Sequence, residues 1–67
     1  MIEQLKTYYQ GLMAKHALNI NVYLNNPVGV GEHPDIVEAI DMELTAYIDA
    51  QDKYNALGSI NSAAEEQ

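Results

Sequence analysis

Both prolines of this 67-residue chain, and two of its four glycines, fall in one short segment: Asn25-Asn26-Pro27-Val28-Gly29-Val30-Gly31-Glu32-His33-Pro34. A proline pushes the residue before it out of the helical region, so any helix arriving from the N-terminal side must stop by Asn26. Gly29 and Gly31 permit backbone conformations that other residues resist. Pro34 suits the first turn of a new helix, where its missing N–H costs nothing. Glu32 and Asp35 place negative charge at that helix's positive end, and His33 takes the N-cap position as a weak cap. The segment therefore divides the chain into two elements joined by a turn.

The first element, about residues 2–25, repeats apolar or ring-bearing residues at spacings of three and four: Ile2, Leu5, Tyr9, Leu12, His16, Ile20 and Tyr23. At about 100° per residue these seven share an arc of about 80°, the mark of an amphipathic helix. Asn19, Asn21 and Val22 weaken helix propensity near its end, but the periodicity runs through them. The second element, about residues 35–58, repeats the pattern with Val37, Ile40, Leu44, Tyr47, Gln51 and Tyr54. Gly58 is a natural stop, and residues 59–67 read as a polar, acidic tail. A short connection makes the two helices antiparallel neighbours. Centring the turn near Gly29 sets Leu24 opposite Ile36, Ile20 opposite Ile40, and His16 near Glu43 and Leu44. It also sets Leu12 near Tyr47, Tyr9 near Gln51 and Leu5 near Tyr54. The expected fold is all-α: a two-helix hairpin that assembles into a four-helix bundle or packs on a partner.

The need for a partner follows from surface. Beside the main stripe of the second helix runs a strip of smaller residues, Ala39, Ala46, Ala50 and Leu57. Together the two cover roughly 200° of the helix, where one neighbour covers about 100°. Leu18 and Val22 lie off the main stripe of the first helix, near Gly11. A chain of this length buries only about 60% of the surface its unfolded form exposes. No cysteine is present to staple it. Self-association is the simplest remedy, with a dimer of hairpins favoured.

Charge narrows the partners. Ten acidic residues against three lysines and no arginine give a net charge of −7. That argues against phosphate-neutralising nucleic-acid binding and against anionic membrane surfaces. No apolar run approaches the ~20 residues of a membrane span, and no secretory signal pattern is visible. A cytoplasmic setting is expected.

Few side chains suggest chemistry. His16, central in its stripe, reads as a core histidine bonded to Glu43 or Tyr47. A buried imidazole can also act as a pH switch. Gln51 takes the matching place on the second helix, where a polar group on a seam fixes register. The carboxylates Glu38, Asp41, Asp49 and Asp52 share a face that is either simply solvated or a docking surface for a basic partner. Val28 and Val30 would present apolar tips from the turn. The five tyrosines suit a seam with hydroxyls at its rim, or interface anchors. No Glu-x-x-His or His-x-x-x-His pair exists, so metal ligation is not expected. The Gly-x-Gly of the turn lacks the strand and Lys-Ser/Thr of a phosphate loop. No nucleophile arrangement stands out, and no cofactor is implied.

From Tyr23-Leu24-Asn25-Asn26-Pro27-Val28-Gly29-Val30-Gly31-Glu32-His33-Pro34-Asp35-Ile36-Val37-Glu38 through Ala39-Ile40-Asp41-Met42-Glu43-Leu44, the chain resembles short proteins of T4-like marine cyanophages. The resemblance covers about a third of the chain, and the Asn-Pro-Val-Gly-Val-Gly-Glu-His stretch is its most specific part. It implies a small, virus-encoded helical protein in an infected bacterium and carries no activity with it.

The sequence thus leads to a non-enzymatic interaction module that pairs with itself, binds a host protein, or both. Leu18, Val22, Val28, Val30, Ala46, Ala50, Asp41, Asp49 and Asp52 are its candidate contact residues, and His16 and Gln51 its polar seam. Two alternatives remain: a small structural component of a virion or other assembly, and a metal-binding or enzymatic bundle built around His16 at a dimer interface.

Overall fold

The computed structural model describes residues 1–25 and 35–66, with side chains described as far as Ile60. Val28 and Val30, with the rest of the turn, lie outside the described residues. Two helices account for nearly all the described residues: α1, Ile2–Leu24, and α2, Asp35–Glu66. They pack along each other as an antiparallel hairpin. His16 meets Glu43 while Gln10 meets Tyr54, so numbers fall on one helix as they rise on the other.

Each helix end has a local cause. Met1 has no side-chain cap to offer, but its carbonyl accepts the Leu5 N–H at 3.1 Å. At the other end Asn25 leaves helical geometry with φ −94° and ψ 6°. The Asn21 carbonyl then accepts two bonds, from the Asn25 backbone N–H at 3.0 Å and from its side-chain amide at 2.9 Å. An asparagine thus ends α1 by satisfying a carbonyl that the helix would otherwise leave open. Asp35 and Glu38 sit in the first turn of α2, where its dipole favours them.

The hairpin is a rod, with extents of 56 × 15 × 13 Å and a radius of gyration of 15.9 Å. A compact chain of this length would have a radius of about 11 Å. Two helices side by side share a seam and enclose no interior. Among the described residues, Ala50 is the one buried residue, at 2% exposure. Counting seven residues each way from the His16–Glu43 pair brings it level with Tyr9.

The α1 stripe lies where the periodicity puts it. Ile2, Leu5, Tyr9, Leu12, His16, Ile20 and Tyr23 are all half-buried. On α2 the seam differs from expectation. It runs along Ile36, Ala39, Glu43, Ala46, Ala50, Tyr54 and Leu57, with Ile40 and Tyr47 on its edge. Val37, Leu44 and Gln51, expected on the seam, are exposed. Ala46 and Ala50, expected to face a partner, line the seam itself. The physical reason is approach distance. Helix axes close to the shorter end of the usual 8–10 Å when one side offers alanines. The bulky stripe of α1 then interlocks with a small-residue strip, where bulk against bulk would hold the rods apart.

The expected stop at Gly58 is also corrected. α2 continues through it to Glu66, and no described glycine has a positive φ. A glycine inside a helix costs about 1 kcal/mol relative to alanine. Ala56 and Leu57 before it, and Ala63, Ala64, Glu65 and Glu66 farther on, favour helix and offset that cost, though Ser59, Asn61 and Ser62 between them are weaker formers. By the same register Gly58 is level with Met1, so residues 59–66 extend α2 past the start of α1.

Candidate interaction surface

The helical angle at each position, at about 100° per residue, divides the rod into two broad faces. On one, α2 presents Val37, Leu44 and Ile48 beside the seam, within about 40° of one another. Their exposures are 67%, 45% and 46%. The half-buried Ile40 and Tyr47 join this strip to the seam. Across the seam on the same side, α1 contributes Met13, Ala17, Ile20 and Leu24. A shallow groove of about 230 Å³ lies between them, lined by Ala17, Ile20, Asn21, Leu44 and Tyr47.

Between the levels of Gln10 and Leu24, and among the described residues, this face carries no charged side chain apart from Asp41 at its border; beyond Gln10, Asp52 stands at the same border about 20° farther round α2. It is also graded along its length. Near the turn it is apolar, with Leu24, Ile20, Val37, Leu44 and Ile48. Away from the turn it becomes amide-bearing, with Gln10, Gln51 and Asn55. There the Gln10 side-chain amide donates to the Tyr54 hydroxyl across the seam at 3.5 Å. Lys6, 3.9 Å from Glu3, interrupts this half between the levels of Gln51 and Asn55.

The opposite face is charged. Glu38 and Asp49 are exposed there, and Asp41 and Asp52 are exposed along the outer edge of α2 between the two faces. A shallow hollow of about 400 Å³, lined by Asp41, Met42, Thr45, Ala46 and Asp49, lies along this side of α2. Asp49 is partly occupied already: Lys53, one turn on, donates to its carboxylate at 2.9 Å. That contact raises the Lys53 pKa, the Asp49 hydrogen bond being the main cause and its charge the second. Both groups are exposed, so the pair adds little to stability. Leu18 and Val22 stand on the back of α1, 63% and 56% exposed. No second helix approaches Gly11 beside them, since a Cβ there would meet nothing within 4 Å.

The polar seam reduces to one pair. His16 and Glu43 are mostly shielded, and His16 Nδ1 lies 2.5 Å from Glu43 Oε2. An ionised carboxylate can only accept, so Nδ1 carries the proton and donates it. This contact holds the Glu43 carboxyl below its ordinary value, with Asn19 as a further donor; partial burial opposes the shift. The second expected member, Gln51, faces solvent on the amide-bearing half. Among the described residues, no three His, Cys, Asp or Glu side chains gather closely enough to hold a metal ion. None of the described helices is long and apolar enough to cross a membrane.

Of the tyrosines, Tyr9, Tyr23, Tyr47 and Tyr54 are half-buried while Tyr8 is exposed. Tyr8 and Tyr9 meet edge to face, with ring centroids 5.2 Å apart. Sequence reasoning placed Val37 and Leu44 in the hairpin seam and so missed them as exposed surface. The available signal was their seven-residue spacing beside the alanine strip, which shows two helix contacts competing for α2. No family model, curated protein or solved structure matches the chain.

Proposed function

We propose that this protein is a non-enzymatic interaction module, a helical hairpin that works by docking its surface against another protein. The observation that carries the reading is the exposure of Val37, Leu44 and Ile48 in a strip along a rod whose own seam, among the described residues, buries only Ala50. Scattered exposed apolar residues are ordinary, but a contiguous strip with an uncharged amide border has the make-up of an interface. The surface hollows are open troughs between side chains, unlike the concave, mostly enclosed sites that hold small substrates. On the resemblance of residues 23–44, the module is phage-encoded and binds or modulates a bacterial host protein. The acidic side of α2 and the turn bearing Val28 and Val30 are the surfaces offered to that protein.

Affinity capture from bacterial lysate tests the reading. The tagged chain should retain one host protein saturably. A variant with Asp41, Asp49 and Asp52 changed to Asn, compared with one carrying Val28→Ser and Val30→Ser, locates the contact by which of them loses it. Failure of the wild-type chain to retain any protein saturably would remove the host-binding reading. Stoichiometric metal in the purified protein, lost in His16→Ala, would move the assignment to a metal-binding bundle.

A further inference from the structure

We infer that the uncharged face of the hairpin docks a second copy of this chain, face to face and with both turns at the same end, to form a four-helix bundle. The inference rests on the interaction-module reading and supplies the module's first partner.

Charge selects the occupant. The chain carries −7 overall, so two copies repel unless they meet where carboxylates are absent. The face bearing Val37, Leu44 and Ile48 is such a place. When it is covered, Glu38 and Asp49 point away from the contact, and Asp41 and Asp52 fall at its rim. Glu38 and Asp49 are then separated from the other copy by the thickness of a helix, about 10 Å, close to one screening length in physiological salt, and the rim carboxylates stay in water, where salt screens them. A basic protein would be drawn to the opposite, acidic side. A charged surface of either sign gains no counter-charge on this face. A second copy brings what the surface matches: apolar side chains and uncharged amides.

Area is sufficient. From the level of Gln10 to that of Leu24 the face is about 20 to 25 Å long, and two helices make it about 20 Å wide. Two copies would cover about 800 to 1,000 Å² before side-chain relief is added, which brings the contact to the lower edge for a specific interface.

The gradient selects the orientation. With both turns at one end, Leu24, Val37 and Leu44 lie over their apolar counterparts. Gln10 of each copy then lies beside Gln51 of the other, amide to amide, while Asn55 lies beside Lys6. With the turns at opposite ends, full overlap would lay the apolar half of each copy over the amide half of the other. The two-fold axis therefore runs along the rod, and α1 of each copy packs beside α2 of the other in antiparallel sense.

Sedimentation over a dilution series, combined with a distance measurement, tests this. The chain has no cysteine, so Ser59→Cys, exposed near the end away from the turn, takes a single spin label. The expected result is a dimer with the two labels roughly 25 Å apart, against roughly 50 Å if the turns lay at opposite ends. Leu44→Glu should raise the dimer dissociation constant by at least about 30-fold. Thr45→Glu, the same added charge one residue on and facing the other way, should leave it within about threefold. A wild-type chain that stays monomeric at high micromolar concentration overturns the inference. So does a label distance near 50 Å, or a dimer indifferent to Leu44→Glu. Should Leu44→Glu lose its helices, the wild-type dilution and the label distance still decide. A monomer that nonetheless captures a host protein would remove the second copy and keep the interaction module; a dimer that captures nothing would do the reverse.

Discussion

The two helices meet along one seam but reach it differently. α1 has a single stripe of bulky residues and uses it; all seven of its members are half-buried. α2 has two apolar sectors side by side. It gives the alanine sector to α1 and leaves the bulkier one, Val37, Leu44 and Ile48, in water. Between two rods, the sector that lets the axes come closest takes the contact, even where its neighbour has more apolar area. The bulkier sector is then what the hairpin has left to offer a partner.

The most damaging way to test that contrast is to remove the small-residue advantage. Ala50→Leu should cost about 1–3 kcal/mol through overpacking against α1, read as a lower urea midpoint for the helical signal. If the bulkier sector were the true seam, the same change would be nearly neutral.

Next comes the polar bond across the seam. Glu43→Gln should destabilise the hairpin near neutral pH by less than Ala50→Leu does. The Glu43 pKa is lowered in the folded chain, so its contribution is fully present above the ordinary value of 4.5 and is lost as pH falls through the depressed folded value. The stability gap between wild type and variant should therefore close as pH falls below 4.5. A gap that persists at pH 2 would assign the effect to packing.

Smaller and opposite in sign, Gly58→Ala should stabilise by roughly 0.5–1 kcal/mol. The position is helical, and an added Cβ would meet nothing within 4 Å. Increased helicity and melting temperature would check it. If helix were not required at position 58, the change would do little. Smallest of all, Leu18→Ser on the back of α1 should alter thermal stability by no more than about 0.5 kcal/mol. A larger loss would mean that α1, too, has a second apolar contact.

Much of this was readable in advance for a physical reason. Helical period is local, so the α1 stripe from Ile2 to Tyr23 could be drawn from spacing alone. Proline chemistry is local as well, so the break after Asn25 followed from Pro27. Register followed from the shortness of the turn, which is why His16 and Glu43 meet as counted. Gly58 does not end α2, because a lone glycine costs only about 1 kcal/mol and the chain there takes no positive φ that would turn it out of the helix. Gln51 was misread with the rest of its stripe, since a polar residue on a seam depends on where that seam lies. Val28 and Val30 fall outside the described residues, so the expectation of an apolar turn tip stands as the sequence stated it.

The sequence by itself determined two helical rods, the bend between them, the bonding face of α1, the level at which each residue meets its counterpart, and the side of α2 that carries the acids. The tertiary structure alone decided how far α2 is turned about its own axis. Periodicity fixes which residues share a face, but not which of two adjoining faces is turned inward. That depends on how near two axes can come, and closeness of approach belongs to the pair of helices together.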